Sequence, residues 1–129
     1  MTSMQSPSWQ IDLAVAFRRP EDLLQHLGLD AETLGYSEQG LAQFPLLVPR
    51  NFADRMQYGN PDDPLLRQVF PHRDESESPS HFRFDPLFEA NARIATGLIQ
   101  KYAGRVLMIT TGACAIHCRY CFRRHYPYQ

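Results

Sequence analysis

One lysine, one tryptophan and three cysteines are all that 129 residues contain of these types, and the last forty residues hold no aspartate or glutamate. Long apolar runs are missing too. The longest aliphatic stretch outside the loops, Val106-Leu107-Met108-Ile109, falls far short of the ~20 residues of a membrane-spanning helix or the roughly 7–15 of a signal-peptide core. The odd cysteine count, packed into eight positions, argues against a disulfide framework and for a reducing, cytoplasmic setting without a membrane segment. Lys101 is the one residue available for Schiff-base chemistry. What is present suits a folded domain of ordinary size: 43% of residues are hydrophobic, enough for a core.

The formal net charge of −1 hides an asymmetry. Residues 1–89 carry all 14 acids against seven arginines, whereas residues 90–129 carry six cations and no acid: Arg93, Lys101, Arg105, Arg119, Arg123 and Arg124. Such a stretch creates a positive field that attracts anions. The plainer alternative is a basic face that meets the acidic half.

Helix signals dominate the first part of the chain. Trp9 to Phe17 has helical spacing, with Ser8 as a candidate N-cap. Pro20-Glu21-Asp22 opens a second helix with an apolar stripe of Leu23, Leu24 and Leu27, and Gly28 stops it. Shorter helices are expected at Asp30 to Leu34 and Asn51 to Tyr58, and Asp62-Asp63-Pro64 is a strong start for another. Phe44 to Pro49 reads as extended because prolines bracket it. Residues 71–80 form a polar, proline-bounded linker. Asp85-Pro86 is expected to open a short helix through Ile94. Val106 to Thr110 then reads as a strand buried on both faces, as in a parallel sheet. No internal repeat is present.

Directly after that strand comes Cys114-x3-Cys118-x2-Cys121. Three thiolates on one short loop can wrap a small metal centre with little closure entropy. A cubane iron–sulfur cluster held by three cysteines leaves one iron open to a small molecule. Zinc bound by the cysteines with His117 or His125 is the alternative, as is an unliganded or redox group of thiols. The zinc reading leads to a nucleic-acid-binding module, its basic tail interleaved with Tyr102, Tyr120, Phe122, Tyr126 and Tyr128. Metal analysis separates the two.

The motif, with Tyr120 just before the last cysteine, resembles the signature of the radical S-adenosylmethionine superfamily. Flanking segments resemble the lysine 2,3-aminomutase family: Asn60-Pro61-Asp62-Asp63-Pro64, Asp85-Pro86-Leu87, Lys101-Tyr102-x-x-Arg105-Val106-Leu107, and Cys121 to Tyr128. Phe122 and His125-Tyr126-Pro127-Tyr128 resemble the branch that makes β-lysine for modification of elongation factor P.

That resemblance implies an isomerase that moves the amino group of L-lysine from the α- to the β-carbon with a 4Fe-4S cluster, S-adenosyl-L-methionine and pyridoxal 5'-phosphate. It implies Cys114, Cys118 and Cys121 as iron ligands, Tyr120 near the adenine, Lys101, Tyr102 and Arg105 on the pyridoxal phosphate group, and Arg123 on the substrate carboxylate. An electron donor is required, elongation factor P is linked indirectly, and neither nucleic acid nor membrane is a partner. Arg119, Arg124 and His125 are left as a solvated or cluster-facing rim. The family's Schiff-base lysine lies further downstream, so no catalytic residue is expected in this segment, and the chain reads as an inactive N-terminal fragment. The implied fold class is α/β: a helical region over 1–100, with the linker at 71–80, leading at 101–129 into the first strand and cluster loop of a truncated partial (β/α) barrel.

Overall fold

The computed structural model describes residues 9–77 and 79–125, apart from the side chains of Phe122 and Arg123. These residues fall into two compact units, 9–77 with 115–120 and 79–114 with 121–125. Among the described residues no helix is long and apolar enough to cross a membrane.

The first unit is helical. Helix α1, Trp9–Ala14, buries none of its residues. It stops before Phe17, which instead exchanges two backbone hydrogen bonds with Val48, at 2.8 and 3.0 Å. Helix α2, Pro20–Leu27, follows its sequence signals: Pro20 fills the first turn and Gly28 ends it in the left-handed region at φ 66°. That conformation costs a glycine little and a side chain much. The expected helix over Asp30 to Leu34 is a run of turns. Asp30 there accepts the Glu32 N–H at 2.8 Å, a local bond that competes with a helical start. Helix α3, Glu38–Gln43, has no counterpart among the sequence signals; its amide at Gly40 is capped by Ser37 Oγ at 3.0 Å. Helix α4, Arg50–Ala53, overlaps only the first three residues of the segment expected to be helical from Asn51 to Tyr58.

Helix α5, Pro64–Val69, starts where the Asp-Pro pair predicts. Asp63 accepts the N–H groups of Leu65 and Leu66 at 2.8 and 3.1 Å, and its other oxygen accepts Gln57 N–H at 3.0 Å. The core joins Leu23, Leu24 and Leu27 of α2 to Leu46, Val48, Met56, Leu66, Val69 and Phe70. Each buried leucine of this kind contributes about 1.5–3 kcal/mol.

Burial works to raise the pKa of Asp63, but the three amide donors outweigh it and hold the carboxyl below its ordinary 3.8. A depressed folded pKa means stability that is complete above the ordinary value and is lost as pH falls through the folded one. Asp63→Ala is therefore expected to cost about 1 kcal/mol at pH 7 by loss of the cap. The gap to wild type should close as the carboxyl protonates. Urea unfolding at pH 7 and at successively lower pH checks this, and an undiminished gap in acid overturns it.

The second unit carries a three-stranded antiparallel sheet, β1 Arg93–Ala95, β2 Leu98–Tyr102 and β3 Arg105–Met108, in that spatial order. Two expectations are corrected here. The helix from Asp85 through Ile94 does not form. Asp85 instead accepts the N–H groups of Glu89 and Ala90, at 2.9 and 3.0 Å. Phe88 sits at φ 56°, which no helix accommodates, and only Ala90–Ala92 makes a 3₁₀ turn. Nor is β3 parallel or buried. It pairs antiparallel to β2, Leu98 opposite Met108 and Ile99 opposite Leu107, and all four of its residues are exposed. Turns at Thr96-Gly97 and Ala103-Gly104 bring neighbouring segments together locally. Hairpin bonds therefore satisfy a backbone whose apolar run suggests non-local pairing.

Candidate functional site

The cysteine segment is anchored unevenly. Cys114 is exposed, Cys118 and Cys121 are half-buried, and all three are free thiols. Cys118 belongs to the helical unit and Cys114 and Cys121 to the sheet unit. Among the described residues no three His, Cys, Asp or Glu side chains are gathered where they could hold a metal ion. The donor set itself fits a thiolate-held iron–sulfur cluster: three free soft donors within eight positions, none of them fully buried.

Packing fixes the residues on either side of Cys118. The His117 amide donates to Leu47 O at 3.0 Å, and its Nδ1 lies 2.8 Å from Pro45 O. Its ring stacks on Phe44 with centroids 4.8 Å apart. Such contacts describe a packing residue. Arg119 departs from the rim expected of it: it is only 7% exposed. Its amide donates to Gln68 O at 2.7 Å, and its guanidinium donates to Glu75, Gly40 O and Phe44 O. A buried guanidinium persists only when its donors find acceptors, and the helical unit provides them. Nothing in the sequence links residues 75 and 119. The sole local signal is the capping box of the 73–76 turn, in which Glu75 accepts the His72 N–H at 3.0 Å.

Tyr120 projects outward, 72% exposed, with its hydroxyl 3.4 Å from Gln68 Oε1. Lys101, Tyr102 and Arg105 all lie on the β2–β3 hairpin, where Tyr102 and Arg105 are directly opposed. All three are exposed. Lys101 Nζ donates to Leu87 O at 2.6 Å. Asp85 is held below its ordinary carboxylate range chiefly by the amides of Ala90 and Glu89, with a smaller contribution from the Lys101 charge. Two cations and a hydroxyl on one hairpin are chemically suited to a phosphate dianion.

The Arg123 side chain lies outside the described residues, as do Tyr126, Pro127 and Tyr128. His125 packs against Phe84 with ring centroids 4.7 Å apart. Burial, then the Arg124 charge, lowers its pKa from 6.5.

No protein-family model matches the chain. It is similar to L-lysine 2,3-aminomutase of Escherichia coli, with 46% identity over 99% of the chain and 38% of the relative. The proteins of the same name from Buchnera aphidicola and Haemophilus influenzae are 42% and 39% identical, over 94% and 97% of the chain. The chain spans 36% and 37% of those two relatives, so it represents well under half the length of the curated proteins it matches.

Proposed function

We infer, from a chain that belongs to the lysine 2,3-aminomutase family, that it is part of a radical S-adenosylmethionine isomerase converting L-lysine to β-lysine. The observation that carries this reading is the 46% identity to the Escherichia coli aminomutase across 99% of the chain. The cysteine spacing supports it on chemical grounds, since three thiolates leave one iron of a cubane open. Phe122 and His125-Tyr126-Pro127-Tyr128 support the branch that serves elongation factor P. A cytoplasmic location suits thiolates that must stay reduced. A partial (β/α) barrel, beginning with the strand and cysteine loop of residues 101–129, is our reading of the longer fold.

Cys114, Cys118 and Cys121 hold three irons, and Tyr120 lies against the adenine of S-adenosylmethionine. Lys101, Tyr102 and Arg105 hold the phosphate of pyridoxal phosphate. Arg123 grips the substrate carboxylate, a planar fork on a planar anion. When bound, the cluster would supply the one electron that cleaves the sulfonium of S-adenosylmethionine, and pyridoxal phosphate would supply the π system through which the amino group migrates. The protein's share is position and charge: cations fix both anionic ends, and an unshared iron corner stays open because only three thiolates are provided.

The test is anaerobic reconstitution with iron and sulfide, followed by metal and sulfide analysis and electron paramagnetic resonance of the reduced protein. Iron with acid-labile sulfide supports the reading; stoichiometric zinc without iron overturns it. A further expectation concerns the 129 residues alone. Their single lysine, Lys101, sits on the phosphate hairpin, so no β-lysine should form from L-lysine with dithionite and both organic cofactors. Turnover seen by mass spectrometry would refute that.

A further inference from the structure

We propose that Arg119 is a positioning residue: its guanidinium, seated in a polar socket of the helical unit, fixes the place of Cys118 before any cluster arrives. This rests on the reading of Cys118 as an iron ligand. The socket is complete on three sides. Nε donates to Glu75 Oε1 and Oε2 at 2.9 and 3.2 Å, and Nη2 donates to Glu75 Oε2 and to Gly40 O, each at 2.7 Å. Nη1 donates to Phe44 O. Thus the first turn of α3, its C-terminal cap and the 73–76 turn all hold one side chain.

Gly40 belongs to the same device. A Cβ built there would meet Glu75 Oε2 at 3.3 Å, Ser37 Oγ at 3.4 Å and Arg119 Nη2 at 3.5 Å. The carboxylate it would press on is already held by Arg119, so an added methyl would have to displace Glu75 by a few tenths of an ångström. Glu75 cannot swing freely either, because Oε1 also caps the His72 amide.

Cys118 sits between two pinned neighbours. His117 and Arg119 each give their backbone amide to the helical unit, and each also anchors its side chain there. A donor placed between two such anchors has lost its freedom during folding, which lowers the ordering cost left for cluster binding. Cys114, exposed and in the other unit, has no share in this socket. Without the guanidinium, residues 115–120 should open locally at lower cost than the unit as a whole.

Differential alkylation of the metal-free full chain tests the proposal. Iodoacetamide labelling is followed for each cysteine by mass spectrometry in wild type, Arg119→Lys, Arg119→Met, Gly40→Ala and Leu66→Ala. The last of these weakens the same unit at a core leucine that makes none of the socket's side-chain hydrogen bonds. We expect the Cys118 rate to rise several-fold relative to Cys114 in Arg119→Met, with smaller rises in Gly40→Ala and Arg119→Lys. Leu66→Ala should leave the ratio at its wild-type value. Iron and sulfide after anaerobic reconstitution should fall in the same order. An unchanged ratio in Arg119→Met, or an equal rise in Leu66→Ala, overturns the proposal. A wild-type chain that takes up neither iron nor sulfide sinks the metal reading instead, while the alkylation ratio still decides whether the socket places Cys118.

Discussion

Cys118→Ser, like Cys114→Ser or Cys121→Ser, is expected to abolish cluster assembly and, with it, β-lysine formation by the full-length enzyme. A thiolate is a soft, easily ionised ligand, whereas a serine hydroxyl stays protonated at neutral pH and offers iron only a weak neutral oxygen. Three donors leave no reserve: a cluster that already has one open corner acquires a second. Loss of an outer-shell partner alone costs a metal site roughly 10–100-fold in affinity, so losing a direct ligand should exceed that. Iron and sulfide per chain, measured after reconstitution, give the result directly. His117→Ala is the informative companion. In a zinc site of three cysteines and His117 it should be as damaging as a cysteine variant. With His117 packed on Phe44 and bonded to Pro45 O, it should lower stability while the cluster still assembles. Full cluster content in any one cysteine variant would remove that residue from the ligand set.

Where local chemistry decides the structure, the sequence reads well. Pro20 and Gly28 bracket a helix because one has a preset φ and the other tolerates a positive one, and both lie where expected. Asp63-Pro64 opens α5 because the carboxylate reaches two amides that a helix start leaves unpaired. Failures come where distant residues choose the outcome. Helix α3 has a capping serine but no sustained apolar stripe, and is held in part by Glu75 and Arg119 outside it. The Val106-Leu107-Met108 run carries no sign of which neighbour it will pair with, and the turn at Ala103-Gly104 settles that for a hairpin. Among site residues, spacing exposes the cysteines because three ligands share one loop. Arg119 stays hidden since an arginine beside a cysteine reads the same whether solvated or buried. Its partner lies 44 positions away.

Removing Glu75 is expected to be among the most destabilising single changes in the helical unit. The Glu75 and Arg119 side chains are 15% and 5% exposed, so their attraction is little screened and most of their desolvation is met on folding. Breaking such a pair from one side leaves a buried charge without its counter-ion, at a cost of about 3–5 kcal/mol. Glu75→Ala also strips the His72 amide of its capping acceptor, which adds about 1 kcal/mol. Against a total of about 5–15 kcal/mol typical of folded domains, this is a large fraction. The double variant Glu75→Leu/Arg119→Met should be more stable than Glu75→Ala, because it removes both charges together and refills part of the volume with apolar atoms. Urea unfolding of the three proteins at pH 7 measures the differences. The outcome has a structural corollary for the cluster: the double variant should regain stability without regaining the fixed Cys118, since nothing in it grips Gly40 O and Phe44 O. A Glu75→Ala chain within about 1 kcal/mol of wild type would mean that water, rather than Arg119, is the effective partner of that carboxylate.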